Sequence, residues 1–276
     1  MTSLREIIKH LENIAPKEYT LQGLEGYVEV GPSTSFDQSK TTINRVVVSI
    51  YPSAKVVAKA SQEKANLLIS YRPMFGTQIK QIAGLNLVRI RLLAKNYIST
   101  YVVGSPWVSA KDGLTDALID ALNMKHTRNF TVKGLFSNTV PIGRFCEPPT
   151  NMNHSGFANY IASKLEIDSV TFTGNLDDEI QQIMVCASCP ITSEMLLMVA
   201  QENTKTIITG EIHPELRVRA HEMGMNIYEI GTIPAENPGM KRLRHQLSLE
   251  YPELKFEYAD VDPITHNLRP YSKDMA

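Results

Sequence analysis

Asn66-Leu67-Leu68-Ile69-Ser70-Tyr71-Arg72-Pro73 lies in the first half of the chain. Thr206-Ile207-Ile208-Thr209-Gly210-Glu211-Ile212-His213-Pro214 lies in the second. Each is a short, β-branched or Leu-rich run that gives way to polar residues and a proline, the pattern of a buried strand and its carboxyl end. Working outward, Val46-Val47-Val48-Ser49-Ile50 precedes the first run as another strand, with a helix over about 53–65 between them. A helix over about 83–95 and a strand over 97–103 follow, closing at Gly104-Ser105-Pro106-Trp107. The second half repeats the order: strand 182–187, helix 191–202, strand 206–210, helix 214–223, strand 226–231, closing at Thr232-Ile233-Pro234-Ala235-Glu236. Strands alternating with helices imply parallel βαβ units with right-handed crossovers. The expected fold is therefore α/β: two similar lobes with mostly parallel sheets, related by a pseudo-twofold internal repeat.

Outside the repeat, Leu4, Ile7, Ile8, Leu11 and Ile14 recur at helical spacing, with Thr2 or Ser3 available as a cap. Between the halves lie a helix over 115–123 and a strand-like Phe130-Thr131-Val132. Pro141 and the pair Pro148-Pro149 break structure there. The lobes are expected at 1–125 and 126–252, with 253–276 a tail that carries an edge strand at 256–259.

Apolar residues make up 43% of the chain and charged residues 21%, which excludes wholesale disorder. Twenty-eight Lys and Arg balance 29 Asp and Glu. That argues against nucleic acid as the main partner, because such proteins usually carry a basic excess. No apolar stretch approaches the roughly 18 residues of a membrane span. The first residues lack the apolar core of a leader peptide. Three cysteines, an odd number without a framework, fit a reducing compartment, so the cytoplasm is expected.

In parallel α/β sheets, ligands bind beyond the carboxyl ends of the strands. That rule selects Ser70, Tyr71, Arg72, Ser105 and Trp107 from the first half. From the second half it selects Cys186, Glu211, His213, Thr232 and Glu236. No phosphate-binding glycine loop and no His-Glu-x-x-His is present. Cys186-Ala187-Ser188-Cys189 stands alone, without the two further ligands of a structural zinc site. It reads as small residues packing a βα turn, with a redox pair as the alternative. His154 and His266 read as surface residues in loops, and His221 as a packing or surface residue of a helix.

Several strand ends carry a family resemblance. Gly231-Thr-Ile-Pro-Ala-Glu236-Asn-Pro-Gly239, following Thr209-Gly210-Glu211, resembles the C-terminal signature of the NIF-three-like family. Many of its bacterial members are called GTP cyclohydrolase 1 type 2 homologues. Leu67 to Phe75 resembles that family's hydrophobic run followed by His-His-Pro. Ser105-Pro106-Trp107 resembles its Ser-Pro-His, Gly113 to Leu118 its Gly-Val-Asn-Asp-x-Leu, and Gly143-Arg144 its mid-chain Gly-Arg. The resemblance covers roughly 4–252. It implies a two-lobed α/β protein, a ring-like homo-oligomer and a dinuclear metal site between the lobes.

Carried onto this sequence, the metal ligands are mostly replaced. Tyr71 and Arg72 stand at the two histidines, Lys111 or Asp112 at the aspartate and Thr232 at the C-terminal histidine. Only Glu236 matches. One glutamate beside two cations cannot hold a dinuclear centre. A tight divalent metal is therefore not expected, and a weaker single-metal site would have to be rebuilt from Asp112, Glu211, His213 and Glu236. Three functions stay open. The cleft is a pocket for a small anion or phosphate ester held by Arg72 and Lys111. The chain is a regulatory or scaffold oligomer in which Arg72 only pairs with Glu236 or Glu211. Or it is a metal-dependent hydrolase of a nucleotide-like or phosphoester substrate.

Overall fold

A computed structural model describes residues 1–21, 23–75, 79 and 81–261. The first half runs α1 (Leu4–Ile14), β1 (Tyr27–Val30), α2 (Ser35–Lys40), β2 (Arg45–Ser49), α3 (Ala54–Gln62), β3 (Leu67–Ser70), α4 (Gly84–Lys95), β4 (Ser99–Val102), α5 (Ser105–Ser109) and α6 (Leu114–Ala121). Next come β5 (Lys125–Lys133), β6 (Thr139–Glu147), α7 (His154–Leu165), β7 (Thr171–Thr173), β8 (Ile183–Cys186) and α8 (Ser193–Gln201). The chain continues through β9 (Thr206–Thr209), α9 (Pro214–Glu222), β10 (Asn226–Glu229), α10 (Thr232–Glu250) and β11 (Lys255–Tyr258).

The strands form two sheets, ordered β1-β4-β3-β2-β11 and β5-β6-β8-β9-β10-β7. In the first, β2, β3 and β4 are parallel and β1 lies antiparallel on β4. In the second, β8, β9 and β10 are parallel and β7 lies antiparallel on β10. The series β1-β4-β3-β2 and β7-β10-β9-β8 thus have the same order and directions. The last parallel strand of each ends in a glycine with positive φ, Gly104 at +62° and Gly231 at +84°, which caps the helix that follows. A Cβ on Gly104 would lie 2.4 Å from the Leu24 carbonyl oxygen, so only glycine fits that turn.

Alternation along the strands explains the layering. Val46, Val48, Leu67 and Ile69 of the first sheet and Ile183, Val185, Ile208 and Tyr228 of the second join one central cluster with α1, α5, α6, α7 and α10. Val47 and Leu68 face outward onto α3 and α4. Met184, Cys186, Ile207 and Ile227 face outward onto α8. The central layer is shared, so the two sheets clasp one core.

The region between the halves is more regular than its prolines imply. Residues 125–147 form a long β5–β6 hairpin whose β6 joins β8 antiparallel. Pro141 sits next to a break in register, where a strand tolerates a missing N–H. The expected tail contributes β11, which returns to lie parallel on β2 at the edge of the first sheet. Thr232 to Glu236, read as a strand closure, instead opens the 19-residue α10, with Pro238 inside it. His154 is not on the surface. It is buried at the start of α7, its Nδ1 lies 2.6 Å from the Tyr228 hydroxyl, and Phe172 packs on its ring. His266 lies outside the described residues.

Candidate functional site

The carboxyl ends of β3, β8, β9 and β10 open into one cleft of about 530 Å³ between the sheets. Its lining includes Tyr71, Arg72, Ser188, Cys189, Glu211 and Thr232, with Gly23 to Glu25 forming a strap on one side. The strap is held by Ser105, whose hydroxyl donates to the Leu24 carbonyl at 3.0 Å and accepts from Leu21 N–H at 2.8 Å. Ser105 therefore builds the wall of the cleft and is itself buried.

Arg72 and Glu236 are in contact across the cleft. Nε donates to Glu236 Oε2 at 3.1 Å and Nη2 to Oε1 at 2.5 Å. Ser188 Oγ donates to the same Oε1 at 2.6 Å. The three residues come from different places: the end of β3, the first turns of α10 and the turn after β8. Tyr71 adds another crossing, its hydroxyl donating to the Ser188 carbonyl at 3.3 Å. The Trp107 indole N–H donates to the Gly239 carbonyl at 3.3 Å.

Glu236 is fully buried, while the Arg72 side chain is 44% exposed. Burial raises the Glu236 carboxyl above its usual range. Arg72 and Ser188 pull it back, and Glu211 adds to the rise. Burial works against the Arg72 charge, and Glu236 outweighs it, so the guanidinium stays above its ordinary value. Burial pushes the Tyr71 phenol far up, so it acts as a neutral donor. Among the described residues nothing bonds to Arg72 Nη1. The outer edge of the guanidinium faces the cleft while the inner edge is held.

The other sequence candidates are placed apart from this pair. Trp107 is buried in α5 and does not line the cleft. Lys111 and Asp112 are exposed in the turn between α5 and α6, where Asp112 N–H donates to Asp116 Oδ2 at 2.9 Å. Asp116 in turn holds the buried Arg144, at 2.7 Å from Nε, which anchors that turn away from the cleft. His213 is exposed at the start of α9. Neither Lys111 nor His213 lines the cleft, whereas Glu25, like Glu211, does. The expected second cation is absent from the lining, and an unforeseen carboxylate is present.

The donor set does not suit the dinuclear centre that the family resemblance implies. Both Glu236 oxygens are taken by Arg72 and Ser188. Asp112, Glu211, His213 and Glu236 do not converge. Among the described residues no group of three or more His, Cys, Asp or Glu side chains is placed to hold a metal ion.

Ser188 and Glu25 were not foreseen. Ser188 was within reach of the strand-end rule, two residues past β8. Glu25 was not, because it precedes β1 at that strand's amino end, where the rule does not reach.

The sequence profile of Duf34/NIF3 (NGG1p interacting factor 3) matches residues 2–265. A Clostridium perfringens protein named GTP cyclohydrolase 1 type 2 homolog is 26% identical over 243 residues, 85% of this chain and 87% of that protein. A Methanocaldococcus jannaschii protein of the same name is 22% identical over 244 residues, 88% and 94% of the two chains. Among solved structures, a Bacillus cereus protein related to NIF3 superposes with a TM-score of 0.82 at 15% identity. That likeness covers 96% of this chain and 99% of the other, and it agrees with the fold described above.

Proposed function

The chain belongs to the Duf34/NIF3 family, and on that premise we propose that its cleft is a metal-free pocket for a small ligand bearing one oxyanion. The observation that carries this is the Arg72–Glu236 pair. Glu236, itself held by Ser188, fixes the inner edge of the guanidinium, so its outer edge is a preorganised fork for a carboxylate or phosphate monoester.

The lining limits the ligand's charge. Glu236 neutralises Arg72, and Glu25 and Glu211 add carboxylates. Polyphosphates are repelled by such a lining. A ligand with one anionic group and hydrogen-bond donors suits it better, with Tyr71, Tyr27 and Phe75 offering aromatic surface. The family resemblance adds assembly as a homo-oligomer to this reading.

The test is calorimetry with inorganic phosphate, a nucleoside monophosphate and a nucleoside triphosphate. Millimolar or tighter binding of a monoanionic-group ligand, lost in Arg72→Ala, supports the reading. No binding by any of them leaves the scaffold role as the better account. Turnover of a phosphoester that needs added metal favours the hydrolase.

A further inference from the structure

Cys186 and Cys189 stand where βα-turn chemistry and the cleft meet, on residues that the oxyanion reading does not use. Cys186 is the last residue of β8 and is fully buried. Its side chain faces outward with Met184, into the cluster formed with Ile142, Phe145 and α8. Cys189, three residues on, folds back onto that same cluster and also lines the cleft. It is partly exposed. The Cys186 thiol donates to the Ile142 carbonyl at 3.4 Å and the Cys189 thiol to the Pro190 carbonyl at 3.8 Å, so both sulfurs sit in the same turn without being bonded to each other. The third cysteine, Cys146, is buried in the central core, on the opposite side of the second sheet, and has no route to either.

We infer that Cys186 and Cys189 are a dithiol–disulfide couple in the cleft wall, which exchanges with a small disulfide-bearing molecule. Their environments divide the labour. Cys189 is partly exposed in the cleft wall, and the neighbouring Cys186 holds its thiol below the usual range. The nearness of Cys189, together with burial, holds the Cys186 thiol well above the usual range. Cys189 is thus the attacking sulfur and Cys186 the resolving one.

The steps balance. The Cys189 thiolate attacks one sulfur of R–S–S–R, forming a mixed disulfide and releasing RS⁻. Cys186 gives up its proton, which ends on that thiolate. Its sulfur then attacks Cys189 Sγ, closing the protein disulfide and expelling the second RS⁻, which takes a proton from solvent. The couple loses two electrons and the small disulfide gains them. Ser188 lies between the two cysteines and donates to Glu236, so closure of the disulfide bears directly on the residue that steadies Arg72.

The experiment incubates the folded protein with millimolar oxidised glutathione, quenches in acid, blocks free thiols with a maleimide and maps the peptides by mass spectrometry. The expected result is joint loss of two thiols, one Cys186–Cys189 crosslinked peptide and an unreacted Cys146. Cys146→Ser behaves as wild type. Cys186→Ser stops at a stable glutathione adduct on Cys189, and Cys189→Ser reacts at neither position. Three outcomes overturn the inference: three intact thiols in the wild type, a stable adduct on wild-type Cys189, or a crosslink that includes Cys146. Circular dichroism on each variant separates misfolding from lost reactivity. None of these readouts depends on oxyanion binding.

Discussion

Arg72, at the end of β3, and Glu236, in the first turns of α10, share a two-pronged ion pair in which the carboxylate is fully buried and the guanidinium is half in water. This asymmetry determines what each substitution does. Arg72→Ala leaves a buried carboxylate with Ser188 as its remaining partner. It should destabilise the fold by about 1–3 kcal/mol, discounted from a fully buried pair because water reaches the vacated side. Chemical denaturation measures it. Because Glu236 can take up a proton, the loss should shrink as pH falls.

Glu236 also gives the wild type a pH dependence of known sign. Its carboxyl is raised in the fold above its ordinary value of 4.5. Through the window upward from that value the native state holds a proton that the unfolded chain has released. Stability therefore falls as pH rises through the window and levels off above the folded pKa. Glu236→Gln cannot titrate and should lack that decline. Denaturation midpoints of the two proteins across the window provide the check.

His154 acts in the opposite direction. Burial lowers its pKa, against the pull of Asp178. Below the ordinary value of 6.5 the unfolded chain takes up a proton that the folded His154 resists, so stability falls as pH falls through that region. His154→Phe should flatten this limb. Tyr228→Phe removes the hydroxyl at 2.6 Å from Nδ1 and should cost about 1–3 kcal/mol.

Gly104→Ala should be among the most damaging single changes. The backbone at φ +62° and ψ −159° is a region essentially restricted to glycine. Forcing a side chain into such a conformation costs about 1–3 kcal/mol before any clash. The added Cβ would also meet Leu24 O at 2.4 Å and Glu25 O at 2.6 Å, displacing the strap that walls the cleft. Lower thermal stability together with weakened ligand binding is the expected outcome.

The parallel strands were legible because β2, β3, β8 and β9 are built around apolar or β-branched residues such as Val46-Val47-Val48 and Ile207-Ile208, which are buried on both faces. α10 was not, because Thr232 to Glu236, with Pro234 among them, read as a strand closure. Pro234 falls in the first turn, where a missing N–H costs little, and the rest of the helix is held by Met240, Leu243 and Leu247 in the core. β1 and β7 are too short to carry a pattern, and pairing at sheet edges makes them. In the site, Arg72 and Glu236 followed from the strand-end rule and the family signature. Where Lys111 points was not legible, because a match of motif positions does not fix the direction of a turn. The anchor that turns it away, Asp116 on Arg144, is a long-range contact.

Metal content most directly tests the central claim that an ion pair stands where this family resemblance implies a dinuclear centre. Protein incubated with zinc, manganese or ferrous iron, then gel-filtered, is analysed by inductively coupled plasma mass spectrometry. With Glu236 held by Arg72 and Ser188, less than one equivalent per chain should remain. Two tightly bound equivalents per chain would contradict the claim, because they would require the Arg72–Glu236 pair to open and a ligand set to assemble that the folded cleft does not present.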